Sequence, residues 1–141
     1  MTLKEIMTPQ EIFNHVTHHL LTQSKLSEEN NGDYMYISSE GLRCSVGCLF
    51  EYKDYDPLFE DNSIDCIDPE ELPVRITDNL DLVIDLQKVH DDQRKVSLWK
   101  EQLHKVAKRY DLDTSVLDLY TWNEQLFKYE RIEFLYASAH K

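Results

Sequence analysis

The ten residues Gly41-Leu42-Arg43-Cys44-Ser45-Val46-Gly47-Cys48-Leu49-Phe50 constrain the fold of this chain more than any other stretch. They hold two of its three glycines and two of its three cysteines. Small side chains gathered in this way mark a place where backbone must approach another element closely, or where thiols face one another. Val46, Leu49 and Phe50 fall at i, i+3, i+4, so a short helix is expected from Ser45 to about Glu51. Gly47 is then a close-packing point rather than a hinge. A helix-interior glycine costs about 1 kcal/mol relative to alanine.

The flanking sequence supplies helices to pack around this segment. Thr8 is a good N-cap, Pro9 suits the first helical position, and Glu11 completes a capping box. Ile12, Val16 and Leu20 follow at four-residue spacing, with Phe13 and Leu21 widening the apolar face until the pattern fades at Ser24. Residues 25–33 read as a polar loop. Tyr34-Met35-Tyr36-Ile37 and Leu42-Arg43-Cys44, joined through Gly41, read as a short β-hairpin. A lone hairpin is marginal and must lean on helices. Residues 52–77 are irregular, with Pro57, Pro69 and Pro73 among many aspartates; Pro69-Glu70-Glu71 makes a single turn after Asp68.

Three helices are expected beyond this point. Residues 78–90 place Leu82, Val83, Leu86 and Val89 on one face, and residues 96–110 place Trp99, Leu103, Val106, Ala107 and Tyr110 on another. A last helix within about 114–138 carries Val116, Leu117, Leu119, Trp122, Leu126, Phe127 and Phe134, with Tyr120-Thr121-Trp122 the point where it would break. The expected fold is mainly α (α+β): a single-domain helical bundle over residues 1–141 with a small β-hairpin. A chain of 141 residues fits one domain, and its 41% hydrophobic content can build a core.

Charge divides the chain more sharply than composition does. Residues 51–92 carry fourteen acids and three bases, a net of -11, whereas residues 93–141 carry seven acids and nine bases. Nearly all of the chain's net charge of -12 thus sits in one middle segment. Such a field repels nucleic acid and anionic membrane and attracts a basic partner. Asp78, Asp81 and Asp85 recur at i, i+3, i+7 along the polar side of the helix over 78–90. Helical neighbours lie about 5–6 Å apart between Cβ atoms, comparable to phosphate spacings. Glu70, Glu71, Asp65, Asp68 and Asp91 extend the stripe, which could imitate a nucleic-acid backbone. The binding residues expected are therefore Asp78, Asp81, Asp85, Glu70 and Glu71. A solvated face that only maintains solubility would produce a similar pattern.

Catalytic patterns are weak. Cys44 and Cys48 form a C-x3-C pair with Cys66 far behind, and no second knuckle completes a structural zinc site. His15 and His19 share a helix face but lack further ligands of regular spacing. Cys44, next to Arg43 near a helix start, is a candidate nucleophile with no base that the sequence pairs to it. His90-Asp91 invites comparison with metal-dependent HD phosphohydrolases, with His18 or His19 and Asp113 as further ligands; at the end of a helix the same dipeptide is an ordinary exit. There is no Walker loop, no G-x-G-x-x-G, no G-x-S-x-G and no H-E-x-x-H. No cofactor and no metal are expected, and Cys44 and Cys48 are expected as buried, reduced thiols. The odd cysteine count and an N-terminus without an apolar run are consistent with a reducing, cytoplasmic setting.

Thr8-Pro9-Gln10-Glu11-Ile12-Phe13, His19-Leu20-Leu21-Thr22-Gln23 and Gly41-Leu42-Arg43-Cys44-Ser45-Val46-Gly47-Cys48-Leu49 resemble the pattern of a group of small uncharacterised proteins of tailed-phage and bacterial genomes. Tyr55-Asp56-Pro57 and Leu86-Gln87-Lys88-Val89-His90-Asp91 fit the same group. The likeness spans about residues 8–110. It carries over no catalytic residue or ligand. It implies a small accessory protein, phage-encoded and acting in the cytoplasm of a bacterial host. The expected function is that of a non-enzymatic acidic protein that binds or inhibits a basic host protein, such as a nucleic-acid-binding protein. The alternative is a small metal- or Cys/His-dependent hydrolase.

Overall fold

Thr8 opens the first helix as its surroundings demand. Its hydroxyl accepts from the Glu11 N–H at 3.1 Å while the Glu11 carboxylate accepts from the Thr8 N–H at 3.0 Å. Helix α1 (Pro9–Gln23) then runs to Ser24, whose left-handed backbone (φ 50°) returns its N–H to the Leu20 carbonyl. Ile12, Phe13, Val16, Leu20 and Leu21 are fully buried along it. Burying each such side chain stabilises the fold by about 1.5–3 kcal/mol. The structure, a computed structural model, describes residues 2–132.

Helix α2 (Val74–Thr77) starts at Pro73, and α3 (Leu80–Asp92) follows after Asp78 and Asn79. Helix α4 (Trp99–Arg109) is led in by a 3₁₀ turn at Val96–Leu98. The long helices α1, α3 and α4 pack on one another, and Trp99, Leu86 and Leu103 sit fully buried among them. With one antiparallel pair, strands β1 (Tyr120–Asn123) and β2 (Lys128–Arg131), this is a mainly α (α+β) fold.

The hairpin lies elsewhere in the chain than expected. Residues 34–44 pair with one another through a single isolated bridge, Ile37 to Arg43, around a turn in which Gly41 takes φ 84°, and Tyr34 bridges Glu28 instead. The ladder stops there because the Tyr36 N–H goes to the Glu60 carboxylate at 2.9 Å and the facing Cys44 carbonyl accepts from the Cys48 N–H at 3.1 Å. Conversely, the helix expected over 114–138 is a 3₁₀ turn (Ser115–Leu119) followed by the β1–β2 hairpin. Its strands are rich in Tyr, Thr and Trp, which suit a pleated, half-buried surface. Asn123 closes the turn by accepting from the N–H groups of Gln125 and Leu126. Tyr120 and Tyr129 point into the core, and Ser24 Oγ caps the Tyr129 N–H at 2.9 Å. Phe134 lies outside the described residues.

The segment around Gly47 is a single helical turn. Cys48 N–H donates to the Cys44 carbonyl at 3.1 Å, and Gly47–Leu49 tightens into 3₁₀ geometry before Phe50 extends. Val46, Leu49 and Cys44 are fully buried here. Arg43 holds the turn by donating from Nη1 to the carbonyls of Gly47 and Phe50. A Cβ on Gly47 would lie 1.9 Å from the Tyr36 carbonyl oxygen, so the glycine is the close-packing point that its neighbours suggested.

Candidate acidic interaction surface

Between Phe50 and Pro73 the chain has no long element, yet it is well anchored. Phe59, Ile64, Ile67 and Leu72 are buried at intervals of three to five residues. Two of the turns in this segment begin at Asp-Pro pairs: Asp56 accepts from the Leu58 N–H at 2.9 Å, and Asp68 from the Glu70 N–H at 3.0 Å. Proline fixes φ at the first turn position and the aspartate satisfies a free N–H, so each pair starts a 3₁₀ turn. The apolar anchors go inward and the remaining carboxylates stay outside.

Seven acids of residues 51–92 are exposed and make no side-chain hydrogen bond or ion pair among the described residues: Asp61, Asp65, Glu70, Glu71, Asp78, Asp81 and Asp92. Two of the three cations in the same segment are committed or peripheral. Arg75 is buried against Asp54 and the Leu49 carbonyl, and Lys53 lies beside Glu51 at 3.9 Å. Asp61, Asp65, Asp91 and Asp92 share a cleft of about 410 Å³ with Tyr34, Tyr36 and Lys88. Its wall is firm, because Glu60 accepts from two backbone N–H groups and from Tyr55 Oη at 2.5 Å. Burial and that carboxylate push the Tyr55 hydroxyl pKa up.

Four of the five expected binding residues are exposed. Glu70 and Glu71 sit on the turn after Pro69, Asp78 ends α2, and Asp81 lies in the first turn of α3. Asp85 departs from the expected solvent-facing stripe. It is half-buried between α3 and α4, bonded to Tyr110 Oη at 2.6 Å and paired with Arg109 at 2.9 Å. Burial pushes its carboxyl up, and the bonds from Tyr110 and Arg109 outweigh this, holding it below its ordinary value. One turn of register turns Asp85 toward a neighbouring helix that spacing within α3 cannot reveal. The contribution of Asp61 and Asp92 to the cleft was legible only as acidic composition.

The catalytic candidates are engaged in hydrogen bonds within the fold. Cys44 Sγ accepts from the Gly47 N–H at 3.3 Å, and the Cys48 thiol donates to the Ser45 carbonyl at 3.1 Å. Burial pushes the Cys44 thiol up to about 12 and raises that of Cys48. Such thiols are poor nucleophiles. His90 is fully buried. Its Nε2 accepts from the Ser27 N–H at 2.8 Å, so its proton lies on Nδ1, facing Asp91 at 2.7 Å. Neither ring nitrogen is free for a ligand or substrate. His15 and His19 donate from Nε2 to the carbonyls of Cys48 and Arg43, and His18 Nδ1 bonds Tyr120 Oη. Among the described residues no group of three His, Cys, Asp or Glu side chains is placed to hold a metal ion. No helix among them is long and apolar enough to cross a membrane.

The α1 histidines give the fold a pH dependence. Burial pushes both His18 and His19 below the ordinary value of 6.5, reinforced at His18 by the charge of Arg131 and opposed at His19 by the bond to Arg43. Below pH 6.5 the unfolded chain therefore binds protons on these rings that the native chain does not. Stability falls as pH drops through that region. The melting temperature is expected to decrease between about pH 7.5 and about pH 5.5. The decrease should shrink in the His18→Gln/His19→Gln variant, whatever its absolute stability. Equal decreases in both proteins would remove these rings as the cause.

No protein-family model, curated protein or solved structure matches this chain.

Proposed function

We propose that this chain is a non-enzymatic interaction protein whose acidic 51–92 surface binds a protein with a basic surface. In this reading it is phage-encoded and acts in the cytoplasm of a bacterial host. It occupies a groove that a nucleic-acid-binding protein uses for phosphates. The observation that carries the reading is the set of seven exposed carboxylates with no hydrogen-bond or ion-pair partner among the described residues, on a segment firmly anchored from within. A rigid, uncompensated acidic surface steers a cationic partner and needs little ordering on contact.

The test is capture from bacterial lysate by the wild type and by a Glu70→Gln/Glu71→Gln/Asp78→Asn/Asp81→Asn variant, with mass spectrometry. The wild type is expected to retain a basic nucleic-acid-binding protein that duplex DNA displaces. The variant should associate with that protein roughly 10–1000-fold more slowly at low salt, with a shallower salt dependence. All four positions are exposed, so the fold should be unchanged by circular dichroism. A variant that keeps the wild-type rate and salt dependence would reduce the surface to a solvated face.

A further inference from the structure

The chain is electrically two-sided. Between Lys53 and Arg75 there are eight acids and no cationic residue. Residues 94–109, which contain α4, carry six bases and one acid. Both regions pack on α3, the first through the Ile64–Cys66 turn and the second through α4. Among the described residues no ion pair joins the 61–71 acids to α4. Lys105 and Lys108 are exposed and without ion-pair partners there. They flank a groove of about 600 Å³ with Lys100, His104 and the apolar side of Leu117; Glu101 and Asp118 also line it.

We infer that this α4 groove docks the acidic 61–71 stretch of a second copy of the chain. The inference rests on the acidic-surface reading and adds one partner to it, the chain itself. The fit is one of charge: the groove offers the Lys105 and Lys108 ammonium groups, and the stretch offers Asp61, Asp65, Asp68, Glu70 and Glu71 with no cation in its own sequence. The faces differ, so the contact is head-to-tail, and each added copy leaves one face of each kind free. The net charge of -12 opposes association at long range. At physiological ionic strength the screening length is about 8 Å, so the local match between faces decides the outcome. Association is therefore expected to be strongest at intermediate salt. It should weaken toward about 1 M, where the screening length is about 3 Å.

Sedimentation velocity across a concentration series tests this with two single-face variants. Lys105→Glu/Lys108→Glu makes the groove acidic, and Glu70→Lys/Glu71→Lys leaves the stretch three acids against two added cations. The wild type should show a mass that rises with concentration. Each variant alone should stay monomeric, with self-association weakened at least about tenfold by like-charge contact. Mixed in equal amounts they should associate again, since each supplies the face the other has lost. A wild type that is monomeric at every concentration and salt overturns the inference. So do variants that self-associate as the wild type does. If the wild type is monomeric while Glu70→Lys/Glu71→Lys loses the basic protein captured from lysate, this inference alone falls and the acidic-surface reading stands. If that variant keeps the captured protein, the reading falls with it.

Discussion

Gly47→Ala is expected to destabilise the fold by about 3 kcal/mol or more, the upper range for forcing atoms into a packed interior. The added methyl would stand 1.9 Å from the Tyr36 carbonyl oxygen and 2.8 Å from its carbon. Neither side can yield cheaply. Tyr36 is held by the Glu60 carboxylate at its N–H, by the Asn62 carbonyl at its hydroxyl and by the Cys44 N–H at its carbonyl. Gly47 is held by its N–H on Cys44 Sγ and by Arg43 on its carbonyl. Helix propensity alone predicts the opposite sign, a gain of about 0.5–1 kcal/mol for alanine. Gly41 is the control. It has open space around its Cβ position but φ 84°, so alanine there should cost only about 1–2 kcal/mol of backbone strain. Urea unfolding midpoints of the two variants check the order. Equal midpoints would remove the Tyr36 contact as the reason for the glycine.

Arg75→Met is expected to cost about 3–5 kcal/mol, the usual penalty for breaking a buried ion pair from one side. Arg75 is 3% exposed, donates from Nε to the Leu49 carbonyl at 2.8 Å and pairs with Asp54. Methionine keeps the apolar stem and strands both acceptors. Asp54 also accepts from the Glu51 N–H at 2.9 Å, so its carboxylate has a second structural duty. The double variant with Asp54→Asn should lose less than the sum of the singles, with a coupling of about 0.5–3 kcal/mol. Additive losses would mean the pair contributes nothing beyond its separate hydrogen bonds. This ion pair also shapes the surface. With Arg75 inside the fold, the acidic stretch outside it has no cation of its own between Lys53 and Lys88.

Much of the helical frame was readable because its signals are local. The Thr8–Glu11 capping box and the four-residue apolar spacing act within one or two turns, and α1 begins where they indicate. Helices α3 and α4 follow their apolar faces, with α3 starting two residues after the expected boundary because Asp78 and Asn79 join it to α2. The Asp-Pro turns at Asp56 and Asp68 are equally local. The hairpins were exchanged for a different reason. Residues 114–127 have apolar spacing that suits either a helix or a strand, and Ser24, more than ninety residues away, supplies the acceptor that holds Tyr129 in β2. Residues 34–44 have strand-forming side chains, but Glu60 takes the Tyr36 N–H and Cys48 takes the Cys44 carbonyl that would extend the ladder.

The same division runs through the candidate surface. The sequence by itself determined the mainly helical class, the close-packed turn at Gly47 and the concentration of negative charge in residues 51–92, since each depends on residue type, spacing or a sum of charges. Only the tertiary structure decided which carboxylates remain available. Asp85 is drawn to Arg109 and Tyr110 across a helix interface, while Asp61, Asp65 and Asp92 meet at a cleft. A carboxylate's availability depends on which cation or N–H lies within about 3 Å of it. Partners distant in the chain are brought to that range only when the apolar faces close on one another.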